Sequence, residues 1–116
     1  MRILYACDDF GIKPGGVKGA SIHVRSILRA LAGFGHEMHW LSPYMNVGAT
    51  FPAAPAGPRE NVLPPGVNAL RARLRNHGLD GDVSGEIRSL LFNDTAIEMA
   101  GEALATCPPD AVVERL

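Results

Sequence analysis

The chain has 116 residues, 47% of them hydrophobic and 20% charged, with a formal charge of −1. That is long enough for one small domain with a core of its own. The near-neutral balance argues against nucleic acid or a strongly anionic membrane as partner, and no stretch reaches the roughly 18 apolar residues of a membrane span.

The short apolar run Arg2-Ile3-Leu4-Tyr5-Ala6-Cys7 reads as a buried parallel strand. Asp8-Asp9 interrupts it too early for a signal peptide, so the expected compartment is the cytoplasm. Next comes Pro14-Gly15-Gly16-Val17-Lys18-Gly19-Ala20-Ser21, a glycine-rich turn leading into a helical pattern. Without side chains in the way, its backbone N–H groups can approach a ligand closely. The positive end of the following helix dipole then favours phosphate or a sugar hydroxyl. Ser21 is the expected N-cap, Ile27, Leu28 and Leu31 the apolar face, and Gly33 or Gly35 the left-handed stop. A second strand follows at Glu37–Ser42, closed by Pro43, which completes one strand–helix–strand unit.

Six prolines and three glycines make residues 43–66 a long loop. A weak strand is expected at Gly66–Leu70 and a short helical stretch at Arg71–Asn76, with Gly78, Gly81 and Gly85 as breaks. Arg71, Arg73 and Arg75 read as a solvated helix face. The longest helical pattern runs from Glu86 to Thr106, with Ile87, Leu90, Leu91, Ile97, Ala100 and Leu104 on one face. Pro108-Pro109 ends it, and Asp110–Glu114 is the next buried strand. Cys7 and Cys107 lie far apart in no metal-ligand spacing, and reduced thiols are expected. No pair of histidines has convincing metal spacing with a carboxylate, and no metal is expected. The fold class is therefore α/β: a partial Rossmann-like parallel sheet flanked by helices. With three or four strands and about three helices, residues 1–116 are expected to be an incomplete domain of a larger protein.

Met1-Arg2-Ile3-Leu4-Tyr5, the segment from Pro14 to Arg25, Gly35-His36-Glu37, Leu41-Ser42-Pro43 and Pro109–Arg115 together resemble the N-terminal, acceptor-side domain of family 4 glycosyltransferases. The glycine-rich turn followed by Ser21-Ile22-His23-Val24-Arg25 is the most specific part. The resemblance implies a retaining, metal-independent transfer from a nucleotide-sugar donor to a glycan or small-molecule acceptor, in a cleft between two Rossmann-like domains. It likewise implies no cofactor, the nucleotide-sugar being a substrate. It puts Gly15, Gly16, Lys18, Gly19, Ala20 and Ser21 near the donor diphosphate and the acceptor. The family's C-terminal donor-binding domain has no counterpart in these residues, so this chain alone is not expected to catalyse transfer. The resemblance is compatible with a cytoplasmic parent enzyme attached peripherally to a membrane.

Several residues carry two readings. Lys18 is a point charge for a diphosphate or a solvated loop lysine. Asp8 and Asp9 orient an acceptor hydroxyl or act as a base, or else form loop hydrogen bonds. His23 contacts a sugar or is structural, while Glu114 and Arg115 sit at a strand's carboxyl end, where ligands of open α/β sheets gather. Trp40 reads as core. A dinucleotide site lacks the G-x-G-x-x-G spacing and an acidic end to strand two, and a phosphate-binding loop lacks its Gly-Lys-Ser/Thr. Asp8-Asp9 alone does not make a receiver domain. The remaining alternative is a non-catalytic module that binds a partner through an open sheet edge.

Overall fold

The computed structural model describes residues 1–7, 9–45, 47–48, 50–56, 67–79 and 81–115, with only the backbone described for 82–85. Asp8 and half of the 43–66 loop lie outside these residues. Four strands and three helices follow in the order β1 (Arg2–Cys7), α1 (Gly19–Gly33), β2 (Glu37–Leu41), β3 (Ala54–Pro55), α2 (Val67–Asn76), α3 (Asp82–Thr106) and β4 (Ala111–Arg115). All strands pair in parallel, in the spatial order β3-β2-β1-β4. The fold is a partial Rossmann-like α/β sheet flanked by helices.

β1 can lie at the centre because both of its faces are apolar. Ala6 stands opposite Leu41 on one side and Glu114 on the other. Strand alternation then sorts the side chains. Tyr5 and Trp40 share one face, where their rings stack at 5.8 Å and 18°. Leu4, Ala6, Leu41 and Val112 share the other with the α3 residues Ala96 and Ala100. On α1, Val24 and Leu28 are fully buried. That helix ends as expected at the positive-φ residue Gly35, whose N–H bonds Ala32 O while His36 N–H bonds Leu31 O.

Five sequence expectations are corrected, the first being that β4, expected as a buried strand, lies at the edge of the described sheet with Val112 and Val113 exposed. α1 begins at Gly19 with Lys18 as N-cap, and Ser21 is instead sealed inside the first turn at 2% exposure. Residues 67–70 are helical, because Val67 and the arginine-rich run after it form one continuous α2. Gly85 does not break α3, which absorbs it within 25 residues and pays only a modest propensity cost. The buried face of α3 is also different. Phe92, Thr95, Met99 and Ala103 are buried, whereas Leu90, Ile97 and Leu104 are exposed at 69%, 70% and 54%. The stripe carrying Phe92 is packed, while Ile97 and Leu104 border an open apolar groove over Leu4, Leu41 and Val112. Phe10 closes over Phe92 edge-to-face at 5.5 Å. β3 is an addition within the loop, where the edge position tolerates Pro55.

The packed stripe sets a clear contrast. Phe92→Ala is expected to cost about 3–5 kcal/mol, and Ile97→Lys less than about 0.5 kcal/mol, by denaturant unfolding. Equal losses would reverse the assignment of faces.

Candidate functional site

The chain steps outward from β1 through β2 to β3 and then returns to the far side of β1 as β4. The strand order therefore reverses between β1 and β4. In open α/β sheets, ligands gather beyond the carboxyl ends of the strands at such a reversal. Here that edge carries the loop after β1, the glycine-rich turn, the start of α1 and the end of β4.

The turn is built from within. Gly16 N–H bonds Lys13 O at 2.9 Å, and Arg25 Nη1 donates to Pro14 O at 2.6 Å and Gly16 O at 2.7 Å. Arg25, one and a half turns into α1, thus ties down two carbonyls of the turn. Gly16 must be glycine, because a Cβ there would stand 2.9 Å from Ser21 Oγ and 3.0 Å from Lys13 O. Gly15 has nothing within 4 Å of its would-be Cβ. Gly15, Lys18 and Gly19 are exposed, Gly16 and Ala20 are half-buried, and Val17 is 89% exposed. Among the described residues no side chain caps the helix start. The first-turn amides and the Lys18 ammonium therefore share one open surface with the positive end of the dipole. Of the serine, only the backbone can take part, since its side chain is buried.

The other expected residues are spread more widely. Asp9 Oδ1 accepts the Gly11 N–H at 2.7 Å, and its carbonyl accepts Ile12 N–H at 3.1 Å, which is a loop-forming role. His23 is exposed on α1. Glu114, level with Ala6, lines an apolar groove of about 460 Å³ between α3 and the sheet. Arg115, level with Cys7, lies on the opposite face beside Tyr5. The two neighbours in sequence thus serve different sides of the sheet. Trp40 is core, fully buried with Nε1–H donating to Tyr44 O at 2.9 Å.

Phe10 is the joint of this edge, and sequence reasoning did not single it out. Its carbonyl accepts the Tyr44 hydroxyl at 2.7 Å, which fastens the loop after β1 to the loop after β2. The Arg88 guanidinium lies 4.1 Å over the Phe10 ring. The Nε atoms of Arg88 and Arg115 are shut off from solvent without a hydrogen-bond partner among the described residues. Burial pushes the Tyr5 phenol above its ordinary value, while the neighbouring Arg115 guanidinium acts in the opposite direction.

Metal-ligating side chains meet elsewhere. Glu37, His39 and Cys107 come together at the amino-terminal edge of the sheet. Hydrogen bonding from His39 holds the Glu37 carboxyl below its ordinary range, with Arg2 adding to the effect. Cys7 and Cys107 form no disulfide.

Gly16→Ala is expected to cost about 1–3 kcal/mol through overpacking, while Gly15→Ala is neutral or slightly stabilising; denaturation of both variants checks this. Because the folded-state pKa of Tyr5 is raised, its contribution is present below the unfolded value near 10 and is lost as pH rises through the folded value. Tyr5→Phe is therefore expected to flatten the fall in stability above about pH 10, measured by unfolding across alkaline pH. An unchanged slope would exclude Tyr5 as its source.

In comparisons with known proteins, no protein-family model, curated protein or solved structure matches this chain.

Proposed function

We propose that this chain forms the acceptor-side wall of a family 4-type glycosyltransferase, in which a sugar passes from a nucleotide-sugar donor to a glycan or small-molecule acceptor. The observation that carries the reading is the glycine-rich turn. It is clamped by Arg25 and opens an uncapped helix start beside Lys18 at the reversal between β1 and β4. When a glycosidic bond to a diphosphate breaks, negative charge grows on the leaving group. Fixed N–H groups and a helix N-terminus stabilise that charge without having to reorient. Gly15, Lys18, Gly19, Ala20 and the backbone of Ser21 take this role, while Gly16, whose N–H is bonded to Lys13 O, shapes the turn that presents them. Among the side chains expected to meet an acceptor, Asp9 is engaged in its own loop, His23 is exposed on α1, and Glu114 and Arg115 at the end of β4 face opposite sides of the sheet. The donor is a substrate and the transfer needs no resident cofactor. The reaction belongs in the cytoplasm, where nucleotide-sugars are found. No helix among the described residues is long and apolar enough to cross a membrane.

A second reading has its own observation. β4 is an edge strand in the described sheet, with Val112 exposed at 58% and Val113 at 37%. A binding module would use that edge to pair with a partner strand.

Calorimetric titration with nucleotide-sugars and with glycan acceptors separates the two. The first reading expects saturable binding at millimolar ligand. It also expects Lys18→Ala to weaken the donor about two- to fivefold, the effect of one exposed charge at a helix N-terminus. If neither ligand class binds at millimolar concentration, the glycosyltransferase reading falls.

A further inference from the structure

Glu37, His39 and Cys107 offer one oxygen, one nitrogen and one sulfur, and these ligand atoms all lie within 4.8 Å of one another. His39 Nε2 is the centre of the group, 2.8 Å from Glu37 Oε1 and 3.8 Å from Cys107 Sγ. Around a tetrahedral zinc ion, ordinary bond lengths of about 2.0–2.3 Å put neighbouring ligand atoms about 3.3–3.6 Å apart. Reaching that arrangement opens the His39–Glu37 contact by about half an ångström, closes the His39–Cys107 contact by a few tenths, and draws Glu37 and Cys107, within 4.8 Å of each other, together around the ion. From these distances we propose that Glu37, His39 and Cys107 form a binding site for a zinc-class divalent cation, completed by water in the fourth position.

The surroundings favour a cation there. A carboxylate and a thiolate together cancel a double positive charge. The mix of sulfur, nitrogen and oxygen donors suits Zn²⁺ or Co²⁺ and not Mg²⁺ or Ca²⁺, which take oxygen ligands. Arg2 Nε holds the other carboxylate oxygen, Oε2, at 3.3 Å and leaves Oε1 facing His39. Such an outer hydrogen bond fixes the orientation of a ligating carboxylate. Cys107 is the C-cap of α3, so the negative end of a 25-residue helix points at the site. The His39 side chain is only 14% exposed, set in a small hollow lined by Leu4, Ala56, Ala103 and Pro109. Glu37 is 57% exposed, which leaves a path for the ion and room for water.

Binding is an exchange of protons for the ion. The Cys107 thiol loses its proton to solvent, and His39 takes the tautomer with hydrogen on Nδ1 so that Nε2 offers its lone pair. No electrons move. The bound ion links β2 to the connection between α3 and β4, one strand length away from the glycine-rich turn. The site is independent of the proposed transfer reaction.

The test is a Co²⁺ titration of the folded chain in a buffer with a non-thiol reductant, followed by Zn²⁺ competition. The expected result is one Co²⁺ per chain with a thiolate-to-cobalt charge-transfer band, bleached by Zn²⁺, and a higher melting temperature in Zn²⁺. Removing a group that merely orients a ligand costs about 10–100-fold in affinity, so Cys107→Ser and His39→Gln should each lose at least about 100-fold. Glu37→Gln, altered at the most exposed ligand, is the variant that keeps the fold, and it should bind more weakly with the band retained. Circular dichroism confirms the fold of each variant. The proposal is overturned if the wild-type chain shows no thiolate band at millimolar Co²⁺. It is equally overturned if folded Cys107→Ser keeps the band, or if folded Glu37→Gln binds Co²⁺ as tightly as wild type.

Discussion

The parallel pairing of β1 with β2 on one side and β4 on the other is the constraint on which the rest depends. Parallel strands must be joined by crossovers, and those crossovers give the domain a direction. α1 starts at the carboxyl edge of the sheet, and α3 finishes at the amino edge before β4. Helix dipoles therefore present a positive end at one edge and a negative end at the other. Side chains of both signs occur at each edge, with Asp9 and Glu114 at the carboxyl edge and Arg2 at the amino edge. Lys18, Arg25, Arg88 and Arg115 belong to the carboxyl edge, while Glu37 and Cys107 meet at the amino edge. The proposed anion surface and the proposed cation site thus fall at opposite edges of one topology.

Within the carboxyl edge, rigidity comes from a few polar ties and not from burial alone. Arg25 satisfies two carbonyls of a turn that has no strand or helix to pair with. Hydrogen bonds from a charged donor contribute about 1.5–3 kcal/mol each, so this clamp holds the turn in one shape. The Tyr44 hydroxyl on Phe10 O performs the same task for the neighbouring loop. A binding surface of backbone amides depends on such preorganisation, because amides that must first be ordered lose affinity.

Much of this was legible in the sequence. β1, β2 and β4 are short apolar runs bounded by prolines, glycines or acids, and the Gly35 stop of α1 follows from its freedom at positive φ. The errors have physical causes. Ser21 has the right chemistry for a cap, yet packing against Gly16 draws it under the turn and leaves Lys18 at the boundary. α3 carries apolar residues on more than one side, so periodicity alone could not say which stripe the sheet would cover. The Glu37–His39–Cys107 group was invisible because Cys107 stands 68 residues from His39, and only the return of the chain beside β1 joins them. Arg25 read as a polar helix edge, and nothing local signals that its target is the turn nine to eleven residues earlier.

The central claim is that the amides of the glycine-rich turn are an anion-binding surface held open by Arg25. Amide-resolved NMR of the folded chain, titrated with a nucleoside diphosphate, tests it most directly. The account predicts saturable shifts concentrated at Gly15, Gly16, Lys18, Gly19, Ala20 and Ser21, which weaken when Arg25 is replaced by Ala. Shifts absent from the turn, or centred on another part of the folded chain, would contradict it.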